Sequence, residues 1–281
     1  MNARDRAVVI VGGGKMGEAI LSGWLSSADC AQAGISAAST TVVNPGLEKR
    51  ERLAARYGVT CVADVADVEA ADLVVLAVKP QVMMTVLEGI CANPAFGGGA
   101  AGPLFVSIAA GLDTGRISQA LPEGARLVRV MPNTPLLVGK GASAACAAAG
   151  TPEDDLHDVL TLFGCLGVAH AVDESALDAV CAVSGSGPAY VAAMVEAMRD
   201  AGVRQGLDHD LAESLALQTV LGTAQLIEET GVTPEQARLA VCSPGGTTLA
   251  ALDAMNGMGF AQVIDAGVAA AVKRSKELAQ C

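Results

Sequence analysis

The sequence predicts an α/β fold: a doubly wound, mostly parallel N-terminal sheet followed by an all-α C-terminal region. Three observations predict it. An apolar run, Ala7 to Val11, leads straight into Gly12-Gly13-Gly14 and then into a helical pattern. From there to residue 172, apolar β-rich runs alternate with helical ones, as stacked βαβ units require. Beyond residue 172 every periodic run is helical.

Each element has its own signal. Met16, Ala19, Ile20 and Trp24 fall at helical spacing after the glycines. Ser26 to Ser39, rich in Ser and Ala, reads as a long connection. Thr40 to Asn44 is the second strand, Glu48 to Tyr57 the second helix and Thr60 to Val62 a short third strand. Leu73 to Val78 is a fully apolar strand stopped by Lys79-Pro80, followed by a helix over Gln81 to Ile90. Gly97-Gly98-Gly99 marks a loop before the strand Leu104 to Ile108. Asp113 to Leu121 is helical, and Leu127 to Met131 is a strand ended by Pro132. Thr151-Pro152-Glu153 predicts a helix with Thr151 as N-cap and Pro152 at its first position. A last strand is expected over Val168 to Val172. The helices then follow: Glu174 to Val183, Pro188 to Ala201, Leu211 to Glu229, Pro234 to Val241, Thr247 to Met255 and Phe260 to Leu278.

Composition narrows the function classes. Hydrophobic residues make up 52% and aromatics 2%, so the core is built from Ala, Val and Leu in closely packed elements. A formal charge of −12 argues against nucleic acid or an anionic membrane as partner. No apolar run reaches the length of a membrane span. The run between Arg6 and the glycine turn is too short for a signal peptide. The eight cysteines, Cys30, Cys61, Cys91, Cys146, Cys165, Cys181, Cys242 and Cys281, lie outside metal-ligand spacing and mostly among Ala, Val and Leu. They read as small buried hydrophobes in a reducing cytoplasm. His157, His170 and His209 are isolated, so no metal site is expected. Several C-terminal helices are apolar on more than one face, for instance at Leu215, Leu217, Val220, Leu221 and Ala224. Helices of that kind need burial on all sides, which one small helical domain cannot supply, so a second subunit is expected to cover part of it. The boundary is placed near residue 172: 1–171 as a Rossmann-like dinucleotide domain, 172–281 as a helical substrate-binding and dimerisation domain.

The chemistry lies in two glycine-rich segments. Gly12, Gly14 and Gly17 fit Gly-x-Gly-x-x-Gly, in which the first glycine turns tightly, the second admits a pyrophosphate and the third packs helix on strand. Free N–H groups and the helix dipole then favour the phosphates. The second strand ends in Asn44, where NAD enzymes tend to place an acid. That removes repulsion of a 2′-phosphate, and Lys49, Arg50 and Arg52 lie just beyond. NADP is favoured, with NAD possible. The ends of later strands, Ala77-Val78-Lys79-Pro80, Ile108-Ala109-Ala110 and Asn133 between Pro132 and Pro135, fall where the cofactor crevice is lined. Ser184 to Pro188 reads equally as a hinge into a helix or as backbone facing the nicotinamide. Ser243-Pro244-Gly245-Gly246-Thr247-Thr248 opens a helix whose first-turn N–H groups make a carboxylate receptor without an arginine. No side chain there is an evident general acid, which suits an already protonated imine better than a carbonyl.

These motifs resemble those of the pyrroline-5-carboxylate reductase family. The shared segments are Gly12-Gly13-Gly14-Lys15-Met16-Gly17, Ala77 to Pro80, Ser107 to Gly111, Met131 to Pro135, Ser184 to Tyr190 and Ser243 to Thr248. They occur in the family's order along nearly the whole chain. The resemblance implies hydride transfer from NADPH to C5 of 1-pyrroline-5-carboxylate, giving proline. It implies a substrate site at Ser243, Gly245, Gly246, Thr247 and Thr248, with Thr248 hydrogen-bonded to the ring nitrogen. Lys15 and Met16 join the cofactor set, as does Asp64, which stands where relatives carry Asn near the adenine-side ribose. The helical domain is implied to form an intertwined homodimer that assembles further, to a decamer. Two other readings share some of these features. A β-hydroxyacid dehydrogenase-type reductase depends on a lysine in its helical domain, and here only Lys273 and Lys276, in the last helix, are available. A non-catalytic dinucleotide-binding protein has no need of the Gly246-Thr247-Thr248 site.

Overall fold

A computed structural model describes residues 5–99 and 101–279; Cys281 lies outside the described residues. The chain forms two compact units, one made of residues up to Gly185 together with those from Ala271 onward, the other of Ser186–Ala270.

The first unit is built on an eight-stranded sheet ordered β3-β2-β1-β4-β5-β6-β7-β8. The strands are β1 (Val8–Val11), β2 (Thr40–Val43), β3 (Thr60–Val62), β4 (Leu73–Leu76), β5 (Leu104–Ser107), β6 (Arg126–Met131), β7 (Gly141–Ala147) and β8 (Gly167–Ala171). All neighbours pair in parallel except β6 and β7. The helices are α1 (Lys15–Ser26), α2 (Ala28–Gln32), α3 (Leu47–Tyr57), α4 (Pro80–Ala92), α5 (Thr114–Gln119), α6 (Glu153–Gly164) and α7 (Leu177–Val180). Strand alternation sends Val8 and Ile10 to one face and Val9 and Val11 to the other. The first face packs on Ile20 and Trp24 of α1, Leu53 of α3 and Val159 and Phe163 of α6. The second packs on Met83, Leu87 and Ile90 of α4 and Ile117 of α5. Trp24 is the largest buried side chain; its indole N–H donates to the Leu162 carbonyl at 2.9 Å and its ring meets Phe163 edge-on at 5.8 Å.

Four local features differ from the sequence expectation. The Ser26 to Ser39 connection contains α2, started by Ser27, whose hydroxyl accepts from the Cys30 N–H. β7 was not expected, because Gly141-Ala142-Ser143-Ala144-Ala145-Cys146-Ala147 lacks the β-branched and aromatic residues that mark strands. It forms because it fills the gap between β6 and β8, where Ala144, Ala145 and Cys146 are buried. Thr151 is not the N-cap of α6. Its hydroxyl instead donates to the Leu127 carbonyl and accepts from the Leu127 N–H, at 3.1 and 2.9 Å, and Pro152 precedes the first helical residue. The helix expected over Glu174 to Val183 is broken: a tight turn over Glu174–Ala176 leads into α7, and a widened π turn follows over Cys181–Gly185. Glu174 serves as an anchor, its carboxylate accepting from the Thr114 N–H and hydroxyl and from Arg129 at 2.7, 2.6 and 3.0 Å.

The second unit holds α8 (Gly187–Arg204), α9 (His209–Thr230), α10 (Pro234–Ala240), α11 (Thr247–Gly257) and the start of α12 (Phe260–Ala279). α8 and α9 form a tight corner. Gly202 leaves room for Leu207 and Ala212, and Ala212 and Ala216 are buried. The end of α12 belongs to the first unit, where the Ser275 hydroxyl donates to Asp178 at 2.6 Å.

Candidate functional site

Parallel register places the strand ends in one row: Val62, Val43, Val11, Leu76 and Ser107 lie side by side. Every residue expected to line the cofactor crevice follows one of the strands β1 to β6. Gly12, Gly14, Lys15, Met16 and Gly17 follow β1, Asn44 follows β2, Asp64 follows β3, Ala77 to Pro80 follow β4, Ile108 to Ala110 follow β5, and Asn133 follows β6. The sheet therefore gathers this set at its carboxyl edge, where ligands bind in such folds.

The glycine turn fits a dinucleotide's phosphates. Gly12 has φ +112°, and a Cβ there would lie 2.5 Å from the Ala77 carbonyl oxygen. At Gly17 a Cβ would strike the Gly12 carbonyl, so α1 rides directly on the turn. Gly14, by contrast, has nothing within 4 Å of its would-be side chain, and as N-cap of α1 it lacks any side-chain cap. The α1 N-terminus is thus an open, uncapped set of backbone donors. Glu18, in the first turn of α1, would oppose an anion there. Its carboxylate is instead taken up by Arg52 at 2.7 Å, with Tyr57 at 3.3 Å and Arg56 at 3.4 Å. The Arg52 guanidinium holds this carboxyl below the usual carboxylate range.

Several expected cofactor residues are also wired into the scaffold. The Asp64 carboxylate accepts from the Ala66 N–H at 3.0 Å and caps the turn after β3. Asn133, nearly buried, donates to the Ser184 carbonyl at 3.0 Å and accepts from the Ala142 N–H at 2.8 Å. Its amide ties the β6 end to β7 and to the π turn. Lys79 and Pro80 form the start of α4, Lys79 as N-cap. The Ala77 and Ile108 backbones continue the ladders to Val11 and Leu76. Sequence reasoning missed the role of Arg50, whose guanidinium donates to the Asn44 and Pro45 carbonyls at 2.9 and 2.7 Å. The only signal was a basic residue six positions after the strand end.

In the second unit, Ser243 to Thr248 join α10 to α11. Gly245 turns with φ +69°, the Gly246 N–H donates to the Ser243 carbonyl at 2.9 Å, and Gly246 is the N-cap of α11. No side chain caps α11, and the Thr247 and Thr248 hydroxyls make no hydrogen bond among the described residues. Helix capping therefore does not account for the two threonines, and the first-turn N–H groups remain available to an anion. Among the described residues no cluster of metal-ligating side chains occurs.

Two family models match the chain: one described as pyrroline-5-carboxylate reductase dimerisation over residues 174–278, one as NADP oxidoreductase, coenzyme F420-dependent, over residues 7–111. A pyrroline-5-carboxylate reductase from Synechocystis is 43% identical over 96% of this chain and 97% of the relative. The chain belongs to the pyrroline-5-carboxylate reductase family. Solved members of that family have the same fold throughout. The Coxiella burnetii reductase superposes with a TM-score of 0.86 at 32% identity, covering 98% of this chain and 99% of that one. The Plasmodium falciparum pyrroline carboxylate reductase, solved with NADP bound, superposes with a TM-score of 0.83 at 28% identity, covering 99% of both chains. The match of this reductase family over the C-terminal helices is to a dimerisation domain, so these helices serve assembly.

Proposed function

We propose that this chain reduces 1-pyrroline-5-carboxylate to L-proline with NADPH, the last step of proline biosynthesis. The observation that carries this reading is the uncapped start of α11, where two free threonine hydroxyls and open backbone donors stand without a charged side chain. In this reading residues 1–171 bind the dinucleotide, and residues 172–281 bind substrate and pair two subunits. Gly12, Gly14, Lys15, Met16 and Gly17 receive the pyrophosphate. Asn44 and Asp64 lie toward the adenine-side ribose, and Ala77 to Pro80, Ile108 to Ala110 and Asn133 line the rest of the crevice. Bound NADPH supplies the hydride. The backbone around Ser243, Gly245, Gly246 and Thr247 holds the substrate carboxylate, and Thr248 hydrogen-bonds the ring nitrogen. The imine arrives already protonated, so no side chain needs to act as a strong acid.

The Plasmodium relative's bound NADP supports the cofactor choice. Homodimers through the helical domain are supported by the dimerisation match and by the exposed apolar residues of α8 to α12, and further assembly to a decamer rests on the family resemblance. Free thiols among the described residues suit a reducing cytoplasm, and no helix among them is long and apolar enough to cross a membrane. The test is NADPH oxidation by the purified protein. Turnover is expected with pyrroline-5-carboxylate; faster turnover of 3-hydroxyisobutyrate semialdehyde overturns the assignment in favour of a β-hydroxyacid dehydrogenase-type enzyme.

A further inference from the structure

Three cations stand just beyond the end of β2, and the structure separates them. Arg52 is committed to Glu18, its guanidinium donating to both carboxylate oxygens across α1 and α3. Arg50 is committed to backbone: its Nη1 reaches the Asn44 and Pro45 carbonyls at 2.9 and 2.7 Å, and its own N–H continues α3 by donating to the Gly46 carbonyl. Lys49 is exposed, sits in the first turn of α3 and has no hydrogen bond or ion pair among the described residues. The Asn44 side chain lies between Gly46 and Gly13, within 3.5 Å of where a Gly13 side chain would begin. The turn that Arg50 holds, between β2 and α3, therefore sets the Asn44 side chain against the glycine loop.

We infer that Lys49 is the cation that meets the 2′-phosphate of the adenine-side ribose, and that Arg50 is a positioning residue that shapes the Asn44-Pro45-Gly46 turn. This rests on the NADPH reading above. The chemistry supports the division. A planar guanidinium suits two carbonyls presented at a fixed angle, and turning it toward a phosphate would leave both without that donor. A lysine in the first turn of a helix adds a mobile point charge beside backbone donors that already favour an anion. Discrimination between NADPH and NADH then lies in Lys49 and in the uncharged Asn44, while Arg50 serves the adenosine of either cofactor.

Calorimetric titration of the full-length protein with adenosine 2′,5′-bisphosphate and with adenosine 5′-monophosphate tests this, because the two ligands differ only in the 2′-phosphate. Lys49→Met is expected to weaken the bisphosphate about tenfold, as loss of one charge-assisted contact does, and to leave the monophosphate unchanged. Arg50→Lys keeps the charge but replaces the longer, planar guanidinium whose Nη1 reaches both carbonyls, so it is expected to weaken both ligands by the same factor. Arg52→Met frees the Glu18 carboxylate beside the phosphate-receiving turn and is expected to weaken both ligands alike. A loss confined to the bisphosphate in Arg50→Lys, or no loss in Lys49→Met, overturns the assignment alone. A wild-type protein that binds both ligands equally overturns the NADPH reading, and this inference with it.

Discussion

In the proposed reading α1 receives the cofactor's phosphates at its start, and a carboxylate one turn into such a helix works against that ligand unless its charge is taken up elsewhere. Glu18 meets this problem through Arg52, Tyr57 and Arg56, all from α3. Because its carboxyl titrates below the usual range in the folded chain, the stabilisation is present above the unfolded value and is lost as pH falls through the folded one. Thermal unfolding of Glu18→Gln should therefore show a weaker acid-side decline than the wild type. Thiols give the opposite sign. Burial pushes Cys30 up to about 12 and Cys146 up to about 11. The folded state keeps protons that the unfolded chain releases, so stability falls as pH rises above the ordinary thiol value near 9. Replacing both with Ala should flatten the alkaline limb of a melting-temperature profile, and iodoacetamide at pH 8 should label exposed Cys91 before either. At Thr248, substitution by Val should lower kcat about tenfold with cofactor binding unchanged, the scale of one hydrogen bond with its partner left unmet. A lowered melting temperature with wild-type kcat would instead make the hydroxyl a structural group.

Elements with a strong period were legible in the sequence, and elements formed by context were not. β1, β4 and β5 are continuous apolar runs, and α1 carries Ile20 and Trp24 at core spacing, so their own residues specify them. β7 has no such signal. Its small side chains become a strand because β6 and β8 offer ladders on both sides. Thr151 carried a true signal for a hydrogen bond but bonded across to Leu127 instead of along its own helix, a choice only tertiary packing decides. The same holds at the cofactor edge. The glycines were readable because backbone geometry demands them, whereas the clamp made by Asn133 joins residues far apart in sequence. Asn133→Ala should remove bonds to Ser184 and Ala142 together and leave a part-buried carbonyl and N–H unpaired. We expect a loss of about 1–3 kcal/mol per unpaired group in denaturant unfolding, larger than for an exposed Asn such as Asn256.

At the scale of the molecule, the all-round apolar helices were the feature most readily read from composition. Leu217 and Leu221 of α9 are each 56% exposed and Val263 of α12 is 66% exposed in the single chain, far more apolar surface than an unpartnered helix pair keeps in water. Sedimentation of the whole protein should give a dimer or larger species, and Leu217→Glu with Leu221→Glu should lower its mass while leaving the far-ultraviolet helix signal in place. A wild-type monomer at micromolar concentration would contradict the shared-core argument.

The return of α12 to the first unit bears on how the chain is made. Leu278 abuts Gly111, and Ser275 holds Asp178, so the last turns of α12 complete a unit that β1 begins. A ribosome emits the parallel strands long before it emits that helix. The nascent first unit must wait with the turn at Gly111 uncovered while all of Ser186–Ala270 passes through the exit tunnel. Truncations that remove the end of α12 are therefore costlier than their distance from the glycine turn suggests, and a tag fused directly after that helix sits on a working joint of the first unit.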